Sequence, residues 1–160
     1  MIVKEIRDED FTSYKKPSMV IGFPSCTFKC ERECGQKMCQ NSALATAPNI
    51  EISVDTLVSR YINNPITHAV ICAGLEPFDN YDDMIMLIST FRIYTQDDVV
   101  IYTGYNKDEL EDKINYLKNI CGFHNIIIKY GRFIPNQQPH YDEVLGVKLA
   151  SYNQYAERIS

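Results

Sequence analysis

The 160-residue chain has no tryptophan, and its seven glycines and seven prolines are scattered singly, so no low-complexity tract, repeat or linker divides it. It lacks a basic N-terminal segment followed by an apolar stretch, and no apolar run is long enough to cross a bilayer. A cytoplasmic protein without a membrane partner is therefore expected. Positive charge is in deficit: 16 Lys and Arg against 21 Asp and Glu give a net charge of −5, which leaves no electrostatic footprint for nucleic acid. Histidine is scarce too; His68, His124 and His140 are isolated, and no metal role is expected for them. At 45% hydrophobic, the chain can bury a core as one domain over residues 1–160 without disulfide staples.

Cysteine is the residue the chain concentrates. Cys26, Cys30, Cys34 and Cys39 crowd into one loop, residues 25–41, while Cys72 and Cys121 lie in apolar patterns and read as small core hydrophobes. In a reducing compartment such a cluster is more often a metal or redox site than a disulfide framework. Structural zinc usually takes two C-x2-C knuckles separated by a longer loop. Here three, three and four residues intervene, with no second knuckle and no nearby His. An iron–sulfur cluster tolerates these spacings better, because its ligands reach different corners of a cube. Lys29, Arg32 and Lys37, interleaved with the thiols, favour the thiolate form. Zinc, or a set of reduced or redox thiols, stays open as an alternative on spacing alone.

Around this loop the pattern alternates between strand and helix. Residues 17–24 read as a strand ending at Pro24. Ser53 is a helix cap before a stripe of Val54, Leu57, Val58 and Tyr61. Residues 68–73 form an apolar run of the kind covered on both faces of a sheet, ending at Gly74-Leu75-Glu76-Pro77. Met84, Leu87, Ile88 and Phe91 mark a second helix, residues 98–102 a strand, Asn106 a cap for a helix burying Leu110, Ile114 and Leu117, and residues 125–129 another strand. The alternation predicts an α/β fold, with a short, mostly parallel open sheet and helices on its outer face. Ligands in such sheets gather at the carboxyl ends of the strands. The cysteine loop and the turns at Gly74–Pro77, Thr103–Tyr105 and Gly131–Phe133 are thus expected along one rim. The tail from Pro135 is poorly periodic, with a strand around Leu145–Leu149 or a docking segment as the two readings.

Five motifs in order resemble a known family. Cys26-x-x-x-Cys30, with Phe28 and Lys29 between, is similar to the opening of the radical S-adenosylmethionine motif, and Gly74-Leu75-Glu76-Pro77 to that superfamily's Gly-Gly-Glu-Pro. Ile101-Tyr102-Thr103-Gly104-Tyr105, Gly131-Arg132-Phe133 and Ser151-Tyr152-Asn153-Gln154-Tyr155 resemble the activating proteins of anaerobic ribonucleoside-triphosphate reductase. The resemblance runs from about residue 17 to the C-terminus. Two departures stand out. The third cysteine is not two residues after the second, and Leu75 replaces a glycine. Gln40-Asn41 matches the Cys-x-Asn that follows the family's third ligand, which favours Cys39 over Cys34 and makes residues 31–38 an insertion.

The resemblance implies a partial (βα) barrel in which Cys26, Cys30 and Cys39 hold a [4Fe–4S] cluster through three irons. S-adenosylmethionine would bind the fourth and be cleaved reductively to methionine and a 5′-deoxyadenosyl radical. It further implies that Glu76 accepts hydrogen bonds from the methionine ammonium, that Gly74 and Pro77 shape that turn, and that Tyr102, Thr103 and Gly104 flank the ribose or adenine. The implied partners are the large subunit of anaerobic ribonucleotide reductase, on which a glycyl radical would be made, and an electron donor such as flavodoxin. The alternatives are an activase of another glycyl-radical enzyme, or a non-catalytic iron–sulfur or zinc domain serving interaction or electron transfer.

Overall fold

The computed structural model describes residues 1–160, apart from the side chains of Cys34 and Ile120. In chain order, β1 (Ile2–Val3), β2 (Glu5–Asp10) and β3 (Ser18–Phe23) lead into two short helices, α1 (Lys29–Cys34) and α2 (Ser42–Thr46). Then come β4 (Ile50–Glu51), α3 (Val54–Ile62), β5 (Ala69–Gly74), α4 (Tyr81–Tyr94), β6 (Asp98–Tyr102), α5 (Glu111–Asn115) and β7 (Ile126–Tyr130). The tail contributes β8 (His140–Asp142), β9 (Val147–Leu149) and β10 (Tyr155–Arg158).

The central sheet has six strands in the order β10-β7-β6-β5-β3-β2. β3, β5, β6 and β7 run parallel, and β2 and β10 pair antiparallel at the two edges. The sheet stays open, so the expected α/β class and mostly parallel sheet are present but no barrel closes.

Alternation along the parallel strands divides the core. Met19, Ile21, Phe23, Val70, Cys72, Val99, Ile101, Ile126 and Ile128 face the buried stripes of α3 and α4 and the apolar residues of the α5 region. Val20, Ala69, Ile71, Val100 and Ile127 face the other way, against Tyr14, Leu145, Leu149 and Ala156. One face is therefore covered by helices and the other by chain segments from the two ends. Ser53 caps α3 as expected, its hydroxyl accepting from Thr56 N at 3.0 Å. The expected helix after Asn106 is less regular: a 3-10 turn at Lys107–Leu110, then α5, then a π-helical turn at Tyr116–Ile120, with Leu110, Ile114 and Leu117 buried throughout.

The tail resolves into both a small hairpin, β8–β9, and an edge strand, β10. Sequence patterning finds neither β2 nor β10. Glu5–Asp10 and Tyr155–Arg158 carry several charges, which suits strands at sheet edges, where charge discourages pairing with other chains. Among the described residues, no helix is long and apolar enough to cross a membrane.

Candidate metal centre

Register places the strand ends side by side: Phe23 opposite Gly74, Cys72 opposite Ile101, and Tyr102 opposite Lys129. The loops that follow meet on one rim, as the sequence predicts. A cleft there is lined by Cys26, Thr27, Lys29, Cys30, Glu76, Gly104, Tyr105 and Arg132.

Glu76 is the buried centre of this rim. It caps the 3-10 turn Pro77–Asn80, with Pro77 at the first position, where no N–H is needed. Its Oε1 accepts from Phe78 N at 3.1 Å and from Thr103 Oγ1 at 2.8 Å, and its Oε2 accepts from Gly104 N at 2.9 Å. Burial pushes its carboxyl up to about 7, while the bonds from Gly104, Thr103 and Phe78 pull the other way. A carboxylate offers about four acceptor directions, so the three internal donors leave room for roughly one more. Thr103 and Gly104 thus contact Glu76 directly, whereas the Tyr102 hydroxyl turns away and donates to Ser13 O at 2.5 Å.

Gly74 has a packing role. At φ +93°, a Cβ there would lie 2.6 Å from Phe23 N and 2.7 Å from Gly22 Cα. Its carbonyl accepts from Asn41 Nδ2 at 2.7 Å, which ties the segment after Cys39 to the Gly74–Pro77 turn. Asp79 ties down the other end of the loop, accepting from Thr27 N at 2.7 Å and from the Tyr105 hydroxyl at 2.6 Å.

Cys26 and Cys30 line the cleft, and Cys39 lies close enough for its charge to help raise the Cys30 thiol. All three are half-buried and unbridged. Burial pushes the Cys26 thiol up to about 11, against a 3.2 Å bond from Phe28 N, and burial also raises Cys30. A metal must displace protons to bind them. Phe28 holds a left-handed φ of 53° at the start of α1, an uncommon conformation for a bulky residue.

Among the described residues, no three His, Cys, Asp or Glu side chains converge as a single ion requires. Half-buried, unbridged thiols gathered on one loop are donors of the kind an iron–sulfur cluster takes, its irons accepting ligands at separate corners. Cationic Arg132 feels the charge of Cys30, which compensates part of a thiolate set. Cys34, expected to be a spare thiol, has its side chain outside the described residues.

Several residues of this rim escape sequence reading. Lys129 is buried on β7; burial pushes its ammonium down to about 8, against the charge of Glu76, and it donates to Gly131 O at 3.0 Å. A lysine inside the apolar run Ile126–Tyr130 is the signal that was there to see. Glu109, held down to about 2 chiefly by Arg132, accepts from Arg132 at 2.7 Å and from Lys29. The tail motif finds its use here as well. Asn153 Nδ2 donates to Arg132 O at 2.8 Å and Gln154 Nε2 to Gly131 O at 3.3 Å, while a Cβ on Gly131 would meet Asn153 O at 2.9 Å.

An open α/β sheet with clustered thiols and a buried carboxylate on its carboxyl rim defines a protein shaped to carry a thiolate-ligated cluster. The model of the 4Fe-4S single cluster domain family matches residues 19–155, and the chain belongs to that family. No curated protein and no solved structure matches it.

Proposed function

We propose that this iron–sulfur protein is a radical S-adenosylmethionine enzyme, an oxidoreductase that makes a glycyl radical on the large subunit of an anaerobic ribonucleotide reductase. The observation that carries the reading is the shared cleft: Cys26 and Cys30 line it together with Glu76. The order of the five sequence motifs supports it further. Cys26, Cys30 and Cys39 would hold the [4Fe–4S] cluster. Such a cluster would supply the one electron that breaks a carbon–sulfur bond of S-adenosylmethionine, with methionine as the leaving group and a substrate glycine as the hydrogen-atom donor.

The chain's own residues serve that chemistry by position. Glu76, with about one acceptor direction left, suits an ammonium donor, and a charge-assisted bond of that kind is stronger than a neutral one. Thr103 and Gly104 hold the carboxylate in place, and Tyr105 offers a ring at the cleft wall. Pro77 and Gly74 fix the turn that aims Glu76.

Anaerobic reconstitution tests the proposal. About four irons per chain are expected, with methionine and 5′-deoxyadenosine formed in equal amounts once a reductant is added. A change in the paramagnetic resonance spectrum of the reduced cluster on adding S-adenosylmethionine is expected as well. A chain that binds iron but neither shifts its spectrum nor cleaves the nucleotide is an electron-transfer domain, and the proposal fails.

A further inference from the structure

Helix α1, which carries Cys30, is joined to the rim by ion pairs from Lys29 and Glu33. α1 is six residues long, has no side-chain cap, and buries none of its described residues. A helix this short is not stable by propensity, and here apolar packing does not hold it either. Glu109, at the start of the α5 region, makes the connection. Its Oε1 accepts from Lys29 Nζ and, at 2.7 Å, from Arg132 Nη2. Arg132 Nε in turn meets Glu33 Oε2 at 3.0 Å. Lys29 and Glu33, one helical turn apart on α1, are thus both tied to the Arg132–Glu109 pair.

That pair is itself fixed. Asn106 N donates to Glu109 Oε2 at 2.8 Å, Arg132 lies 6.0 Å from the Tyr105 ring centre, and its carbonyl is clamped by Asn153. We infer that Glu109 is a positioning residue for Cys30: its carboxylate sets the orientation of α1, and with it the Cys30 thiol, before any metal arrives. Without that charge, among the described residues only Glu33 is left to offset Lys29 and Arg132, and the Glu33–Arg132 pair is the one ion pair still joining α1 to the rim. The value of this positioning rests on the reading of Cys30 as a cluster ligand, but the positioning itself is measurable without iron.

The test compares full-length, iron-free wild type with Glu109→Gln by hydrogen exchange and by the rate of Cys30 alkylation, at low and high salt. Glutamine keeps an acceptor for Asn106 N and removes the charge. Amides 29–35 are expected to exchange, and Cys30 to react, roughly 3- to 10-fold faster at low salt, the range for one or two partly exposed ion pairs. The gap should narrow at high salt, because screening loosens the wild type. Lys29→Gln should give a smaller change in the same direction without touching the Asn106 contact, and it carries the test if Glu109→Gln does not fold. Unchanged Cys30 reactivity in both variants overturns the inference, as does opening confined to residues 107–115. Failure of wild type to retain iron, measured separately, would sink the cluster reading and leave the exchange result standing.

Discussion

Strands β5, β6 and β7 and the segment that carries the cysteines lie side by side, yet they are built differently. Ala69–Ile71, Asp98–Ile101 and Ile126–Tyr130 are all buried, most of them as apolar side chains between helices and end segments. From Pro24 to Ser53 not one described residue is buried. That segment is held instead by hydrogen bonds and ion pairs to Asp79, Gly74, Glu109 and Arg132. Apolar burial gives a rigid rim. Polar tethers give a loop whose geometry follows charge and ionic strength, which suits a segment that must admit a metal cluster.

The largest expected effect lies in the loop and on metal rather than on folding. Cys26→Ser, Cys30→Ser and Cys39→Ser should each abolish stable iron retention while moving the unfolding midpoint little; iron counting beside calorimetry checks both. Cys34→Ser should keep its iron, and loss there would reassign the third ligand. On the other side of the comparison, Phe91→Ala should cost about 3–5 kcal/mol of folding stability, because Phe91 is 1% exposed and packs edge-on against Tyr61 at 5.0 Å. Denaturant unfolding measures it, and a small effect would break the claim that apolar packing carries the sheet.

Glu76 lies on the border between the two regions. Burial raises its folded carboxyl from an ordinary 4.5 to about 7, so the folded state holds that proton more tightly than the unfolded chain. The contribution is complete below pH 4.5 and is lost as pH rises towards 7. Unfolding free energy should fall by on the order of 2–3 kcal/mol across that window. Glu76→Gln should flatten that slope in denaturant titrations at stepped pH; a slope equal to wild type would assign it to other groups. The smallest effect expected is that of Asn153→Ala. It removes the 2.8 Å bond to Arg132 O and should cost about 1 kcal/mol, read as a shift in the thermal midpoint.

Much of the sheet is legible in the sequence, because burial on both faces leaves continuous apolar runs such as Val70–Cys72 and Ile126–Ile128, and helices betray themselves by stripes such as Val54, Leu57, Val58 and Tyr61. The rim follows from that alternation. β2 and β10 are hidden because edge strands carry charge and so look like surface loops. The five motifs bring attention to Glu76, Gly131 and Asn153. Their local work, as an internally bonded carboxylate, a close backbone approach and a carbonyl clamp, appears only when the strand ends are set together.

By itself the sequence determines the order of strands and helices and the concentration of thiols in one loop, since periodicity and residue spacing are local properties of the chain. Tertiary structure alone decides what orients that loop. Lys29 and Glu109 are separated by 80 positions, and Glu109 and Arg132 by 23. No periodicity links such residues, because an ion pair needs only proximity in space, and the folded sheet is what supplies it.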